Sequence, residues 1–197
     1  MSSTELTLDL RDIIFAIKEW LPINQLSESE KFSEFDLDTL EMMVQEGIRF
    51  AIEVVSPTRT ESDREGCSIE DGRVKVSKCL HEPYQQAYEK GWATMRVSQE
   101  YGGMGSPATV QLIINEALSA ANLGLTMFFG LTSGAAELID TFGSDELKQK
   151  YVGKMFKGEY TGTMCLSEPQ AGSDVGAATT SAEEIGGGVY KIKGSKC

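Results

Sequence analysis

The chain has 197 residues, of which 41% are hydrophobic and 24% are charged, as is typical of a globular protein with one substantial core. Its formal net charge of −12 argues against a nucleic-acid partner, because binding phosphates requires clustered Lys and Arg. The four cysteines lack CxxC spacing and His81 is the only histidine, so we expect neither a metal site nor a disulfide framework.

The amino terminus and the longest apolar stretch indicate where the protein is located. The first twelve residues contain no basic leader followed by an apolar stretch and a cleavage site, so we expect no secretion signal. The best candidate for a membrane span, 124–142, is interrupted by Glu137 and Asp140, and we expect a buried core helix there instead. These features predict a cytoplasmic protein.

Apolar residues recur at three- and four-residue spacing through most of the chain, which predicts amphipathic helices. A first helix is expected over 10–21, ending at Pro22, and a second from Leu37 to Val55, ending at Pro57. Further helices are predicted over 83–90, 110–121, 125–142 and 144–156.

Two other segments have distinct patterns. The charged segment 62–81 is expected to be a long loop, or a weak hairpin around the turn signal Asp71-Gly72. The helix over 125–142 is apolar on most sides, which predicts that it is central and well buried.

After Gly158 the residue pattern changes from helical to strand-like. The fold class is therefore mainly α, with a helical domain over 1–158 and the beginning of a β-domain over 159–197. Because isolated strands rarely stand alone, we expect an incomplete sheet and a truncated chain. Strands are predicted over 160–166, 177–182 and 189–193.

The segment 164–174, Met-Cys-Leu-Ser-Glu-Pro-Gln-Ala-Gly-Ser-Asp, lies where a predicted strand ends and a turn begins. By spacing alone it is either a capped strand terminus or a cofactor-binding loop. In the second case, backbone amides and the Ser167 hydroxyl would meet the polar edge of a flat heterocycle.

This segment resembles the signature of the acyl-CoA dehydrogenase family, in which Leu-(Thr or Ser)-Glu-Pro-x-Ala-Gly-Ser-Asp follows a short strand. Tyr101-Gly102-Gly103 is similar to a turn of that family, and 143–159 resembles the segment that leads into the signature. Finer features resemble the enlarged subgroup that includes methylthiopropionyl-CoA dehydrogenase, over 10–15, 63–67 and 162–166.

The resemblance implies the helical amino-terminal domain of an acyl-CoA dehydrogenase, followed by the first strands of its middle β-domain. It also implies an FAD cofactor and α,β-dehydrogenation of an acyl-CoA thioester to a 2-enoyl-CoA. By motif position, Met164, Leu166 and Ser167 would face the flavin. Ser173 would lie near both the flavin and the CoA arm of the substrate.

The same resemblance implies that the chain lacks the catalytic base. In the family pattern Glu168 and Asp174 help to form the turn, and the base normally lies in the carboxy-terminal helical domain. We therefore expect no catalytic residue in these 197 residues and no activity from them alone. The helix over 125–142 would line the acyl pocket.

The resemblance further implies an electron-transfer flavoprotein or a similar acceptor, and a homodimer or homotetramer for the whole protein. Two alternatives remain open. One is an acyl-CoA oxidase or nitroalkane oxidase of the same superfamily, which passes electrons to oxygen. The other is a non-catalytic helical module that binds acyl-CoA or a protein.

Overall fold

The computed structural model describes residues 9–197. Residues 1–8 lie outside the described residues, and they include most of the segment in which we expect no secretion signal. The chain divides into two compact units. The first ends at Gly162 and the second is Thr163–Cys197. This division lies four residues beyond the boundary expected from the sequence, between 158 and 159.

Within the described residues, the first unit contains α-helices joined by short 3₁₀ and π-helical turns, and one β-hairpin. Its helices are α1 (Leu10–Phe15), α2 (Leu37–Phe50), α3 (Arg59–Glu65), α4 (His81–Glu89), α5 (Ala108–Phe142), α6 (Asp145–Leu147) and α7 (Gly153–Phe156). Its strands are β1 (Ser68–Glu70) and β2 (Arg73–Lys75).

Helix α2 begins at an aspartate cap and packs against α5 in the core. The carboxylate of Asp36 accepts a hydrogen bond from the amide of Thr39 over 2.8 Å, which satisfies one of the unpaired amides of the first turn. The apolar stripe of α2 is buried against α5. The buried residues of these two helices include Leu40, Val44, Ile48, Val110, Ile114, Leu118 and Leu125.

The prediction that Pro57 ends the second helix is wrong. A π-helical turn, Ala51–Val55, and a 3₁₀ turn, Ser56–Thr58, lead directly into α3. Pro57 lies at the start of that 3₁₀ turn, where a missing amide hydrogen costs no hydrogen bond. The helical path therefore continues to Glu65, inside the segment that was expected to be a loop.

The hairpin alternative for the charged segment is confirmed. β1 and β2 pair antiparallel, with Ile69 opposite Val74. The two turn residues, Asp71 and Gly72, have φ of 50° and 72°. A two-residue hairpin turn with positive φ at both positions is the type that matches the twist of the strands, and Asp-Gly is among its preferred sequences.

Helix α5 is 35 residues long and is broken at Asn122, whose φ of −159° and ψ of 97° are not helical. The two predicted helices, 110–121 and 125–142, are therefore its two halves. The carboxamide of Asn122 donates to the hydroxyls of Thr58 and Ser62 over 2.9 and 3.0 Å. Its oxygen accepts from the amide of Leu125 over 3.3 Å, so Asn122 caps the second half of α5.

The prediction that the second half of α5 is buried on most sides is wrong. Leu125, Phe129 and Ala136 are buried on one face, whereas Met127 and Leu138 on the opposite side are 51% and 61% exposed. Among the described residues, α5 is long and apolar enough to cross a membrane by length and composition alone, and 39% of its most apolar stretch is buried in the protein. The expected absence of a membrane span stays a prediction.

The second unit contains one antiparallel hairpin, β3 (Ser181–Gly186) and β4 (Val189–Lys193), joined through Gly187-Gly188. The strand predicted over 189–193 is confirmed. The strand predicted over 177–182 is wrong for most of its length, because β3 begins only at Ser181. The strand predicted over 160–166 is wrong, because within the described residues this segment has no regular secondary structure and pairs with no strand.

Replacing Asn122 by Ala removes the cap of the second half of α5 and its hydrogen bonds to Thr58 and Ser62. We expect the free energy of unfolding to fall by about 2 kcal/mol, measured by urea denaturation with far-UV circular dichroism. The control is Asn115→Ala on the exposed face of α5, which should change it by less than about 0.5 kcal/mol. Equal losses in the two variants would contradict this role of Asn122.

Candidate functional site

A tight turn begins at Glu168, after the segment 163–167, which has no regular secondary structure and begins the second unit. The amide of Glu168 donates to the carbonyl of Ala171 over 3.1 Å, and the amide of Ala171 donates to the carbonyl of Glu168 over 3.0 Å. Pro169, with its fixed φ, and Gln170 form the tip. Ala171 is only 1% exposed, so the base of the turn is anchored by burial as well.

The carboxylate of Glu168 is the centre of a hydrogen-bond network and is buried, with the residue 3% exposed. It accepts from the amides of Thr179 and Thr180 over 2.8 and 3.0 Å. The Thr179 hydroxyl and the Gln170 carboxamide donate to it over 3.1 and 2.6 Å. Lys196 forms an ion pair with it at 3.0 Å. The carboxylate thereby ties the turn to two later segments of the chain.

These contacts determine the charge state of Glu168. Hydrogen-bond donors from Thr180 and Thr179 and the Lys196 ammonium group lower the pKa of Glu168 far below its ordinary range, outweighing the opposite effect of burial. A carboxylate held in its charged form by so many donors is a poor proton acceptor. Glu168 therefore fixes the shape of the turn, as the family pattern implied.

The predicted flavin-facing residues all lie in the segment 163–167 before this turn. Met164 and Leu166 are 69% and 51% exposed, and Ser167 is exposed as well. The backbone is held from one side, because the carbonyl of Ser167 accepts from the amide of Cys197 over 2.9 Å. Lys196 donates to the carbonyl of Leu166 over 3.1 Å. The segment presents two apolar side chains and one hydroxyl on a fixed backbone.

Ser173 lies on the far side of the turn and is exposed. The next residue, Asp174, begins a short 3₁₀ turn, in which its carbonyl accepts from the amide of Ala177 over 3.1 Å. Ser173 and Ser167 therefore flank the same turn, in one compact unit. The roles of Ser173 toward a flavin and toward CoA stay predictions.

An uncharged strip lies along the second half of α5, on the side away from the core. Gly130 and Gly134 lie in its centre, and a methyl group added to either would meet no atom within 4 Å. Sequence reasoning did not single out this strip, although two glycines four residues apart in an apolar helix are a usable signal. Its members are Leu123, Met127, Gly130, Leu131, Gly134 and Leu138.

The structure also distinguishes three neighbouring residues whose roles the sequence leaves undetermined. Met127 belongs to the exposed strip, whereas Phe129 is buried and stacks on Tyr84 with ring centroids 5.6 Å apart. Phe128 lies between these two positions and is 37% exposed. Burial raises the pKa of Tyr88, whose ring packs edge-on against Phe129. This aromatic cluster fixes α4 against the second half of α5.

The described part of the chain contains no cluster of three or more His, Cys, Asp or Glu side chains that could hold a metal ion. Its four cysteines are free, and three of them are exposed.

Comparisons with known proteins agree with this architecture. The family model for the N-terminal domain of acyl-CoA dehydrogenases matches residues 38–159. The 3-methylmercaptopropionyl-CoA dehydrogenase of Ruegeria pomeroyi is 35% identical over 187 residues, which are 95% of this chain and 32% of that protein.

Solved structures match as well. A glutaryl-CoA dehydrogenase in complex with glutaryl-CoA has a TM-score of 0.67 and 29% identity, over 82% of this chain and 39% of that one. An acyl-CoA dehydrogenase from Bacillus anthracis complexed with FAD has a TM-score of 0.66 and 25% identity, over 83% of this chain and 26% of that one.

The fold and the sequence matches agree on one family of proteins. The chain belongs to the acyl-CoA dehydrogenase family. The resemblance to the family and the mainly helical fold with a few strands are thus confirmed. The chain spans about a third of the length of the curated relatives it matches.

Replacing Glu168 by Gln should loosen the turn. One carboxylate oxygen becomes an NH₂ group, which cannot accept the hydrogen bond that a backbone amide donates at that position. The pKa of Glu168 is lowered from 4.5 on folding, so its stabilising contribution is complete above about pH 4.5 and declines as the pH falls towards the lowered value. We expect the amides of Thr179 and Thr180 to lose hydrogen-exchange protection below that pH, and to lose it at neutral pH in Glu168→Gln.

The measurement is NMR hydrogen exchange, expressed as protection factors so that the intrinsic pH dependence is removed. Glu184→Gln, on the exposed strand β3, is the control and should leave both amides protected. Unchanged protection in Glu168→Gln would show that the network does not hold the turn.

Proposed function

We propose that this chain is the amino-terminal part of a longer FAD-dependent acyl-CoA dehydrogenase, which converts an acyl-CoA thioester into a 2-enoyl-CoA. The observation that carries the proposal is the family match over 38–159, followed in the chain by the complete signature turn. Its similarity to a dehydrogenase bound to glutaryl-CoA and to another bound to FAD supports the substrate class and the cofactor.

The residues of the segment 163–167 suit a flavin. Met164 and Leu166 expose apolar side chains that would pack against the ring system, and the Ser167 hydroxyl would bond its polar edge. Ser173 would contact both the flavin and the CoA arm. When bound, FAD supplies the acceptor for the hydride that leaves the β carbon of the acyl group.

The chain's own contribution is positioning. Glu168 holds the turn in one conformation, so the residues on either side of it are fixed before any ligand binds. Its lowered pKa and its donors make it unsuitable for removing the α proton. We propose that this proton is removed by a carboxylate from the rest of the polypeptide, and that the 197 residues alone show no turnover.

We propose that the uncharged strip of α5 lines the pocket for the acyl chain. Its residues are apolar or lack a side chain, which matches an alkyl group that must leave water. The two glycines make a shallow groove in the helix surface, and side chains at these positions would occupy the space available to the acyl chain.

For the whole protein we propose an electron-transfer flavoprotein or a similar protein as electron acceptor, a homodimeric or homotetrameric assembly and a cytoplasmic location. The exposed apolar residues of α5 support further association, because large exposed apolar patches mark contact surfaces.

The proposal is tested by anaerobic titration of the full-length protein with a panel of acyl-CoAs, including 3-methylmercaptopropionyl-CoA, while the flavin absorbance is followed. We expect at least one acyl-CoA to bleach the flavin. Hydrogen peroxide formation on admitting air would favour the oxidase alternative. A full-length protein without flavin would favour the non-catalytic module.

Replacing Gly134 by Leu should block the proposed acyl pocket without disturbing the fold, because nothing within 4 Å opposes a side chain there. Leu also has a higher helix propensity than Gly, so stability should rise by up to about 1 kcal/mol. In the full-length protein we expect kcat/KM for the preferred acyl-CoA to fall at least about tenfold, measured with an artificial electron acceptor.

Gly153→Leu is the matched control, since Gly153 is also helical and has the same free space but lies outside the strip. It should leave kcat/KM unchanged. Full activity of Gly134→Leu with acyl groups of every length would exclude the strip as the acyl pocket.

A further inference from the structure

Two cavities in the helical unit form one groove, whose lining shares only Leu123 with the strip proposed as the acyl pocket. The first, about 600 Å³, lies beside α4 and the second half of α5. The second, about 780 Å³, lies beside α3 and the break in α5. Both are lined by Val76, Leu80 and Phe128, so they adjoin along these three apolar side chains. Each volume falls in the range of ligand pockets, roughly 300–1,000 Å³.

One end of the groove carries an excess of positive charge. Arg59 and Arg64 line the second cavity, and Asp63 is the only carboxylate in its lining. Among residues 9–197, neither arginine forms an ion pair. Arg59 donates one long hydrogen bond, 3.4 Å to the carbonyl of Ala120, so most of its five donors are available.

The rest of the groove is apolar and aromatic. Beyond Phe128 the first cavity is lined by Leu125, Tyr84 and Tyr88. The hydroxyl of Tyr84 donates a hydrogen bond to the carbonyl of Gly158 over 3.2 Å. Tyr84 therefore contributes its ring to the cavity wall. The polar residues at that end include His81, Glu89, Lys157 and Glu159. Because the carboxylates offset the lysine there, an excess of positive charge is found only at the arginine end.

We propose that this groove binds a long-chain carboxylate, that is, the anion of a fatty acid. The carboxylate is held by the guanidinium groups of Arg59 and Arg64, whose planar donors match the two oxygens of a carboxylate. The alkyl chain lies along Val76, Leu80 and Phe128. This contact removes apolar surface of both the ligand and the protein from water. This binding does not require the proposed dehydrogenation, and every residue that lines the groove belongs to the first unit.

The test is isothermal titration calorimetry of the 197-residue chain with dodecanoate and with dodecanol, each below the concentration at which it self-associates. Dodecanoate is expected to bind at least tenfold more tightly than dodecanol. In the double variant Arg59→Gln, Arg64→Gln, dodecanoate should fall to the affinity of dodecanol, while dodecanol is unchanged. Arg49→Gln, an exposed arginine already paired with Glu46, is the matched control and should change neither.

Val76→Gln tests the apolar part of the groove, and it should weaken both ligands by the same factor. Circular dichroism establishes that each variant is folded, and Arg64→Gln alone replaces the double variant if that one unfolds. Equal affinity for the two ligands, or an unchanged affinity for dodecanoate in the arginine variants, would overturn the proposal. Gly134→Leu should bind dodecanoate normally even if it blocks acyl-CoA turnover, so the two proposals can fail independently.

Discussion

The arrangement of the helical unit depends on the hydrogen bonds of the buried Asn122 carboxamide. It interrupts an otherwise continuous apolar helix and joins the break to the hydroxyls of Thr58 and Ser62. The two halves of α5 therefore need not bury the same face. The first half packs against α2, and the second packs against α4 while its opposite side stays exposed. Both the uncharged strip of α5 and the groove beside α3 follow from this break.

Close packing of α2 on α5 supplies the rigid support for that arrangement. A methyl group added to Gly47 of α2 would lie 2.8 Å from three side-chain atoms of Ile114, so the backbone of α2 approaches α5 at a distance only glycine permits. Ile114 is fully buried. The core therefore fixes the first half of α5 and leaves the second half to be oriented by Asn122 and by the aromatic cluster around Phe129.

In the second unit one motif contains both a buried residue that shapes the turn and exposed residues beside it. Glu168 is the most conspicuous acid of the signature, yet its carboxylate is buried in hydrogen bonds and holds the turn together. Met164, Leu166 and Ser167 precede it, and their side chains are exposed. Burial therefore separates the residue that shapes the loop from those available to a cofactor, a distinction that sequence spacing alone does not make.

Helical periodicity and capping residues were sufficient to predict α2, α4 and both halves of α5, because these depend on neighbours close in sequence. The Asp-Gly turn indicated the first hairpin only as an alternative to a loop. The signature at 164–174 likewise indicated the family. Only tertiary contacts decided that Pro57 would be passed by the helical path, that 160–166 would remain unpaired, and that one side of the second half of α5 would be exposed. The groove that contains Arg59 and Arg64 is formed by segments far apart in sequence, including α3, α4 and α5. No local sequence pattern determines which side chains such segments bring together.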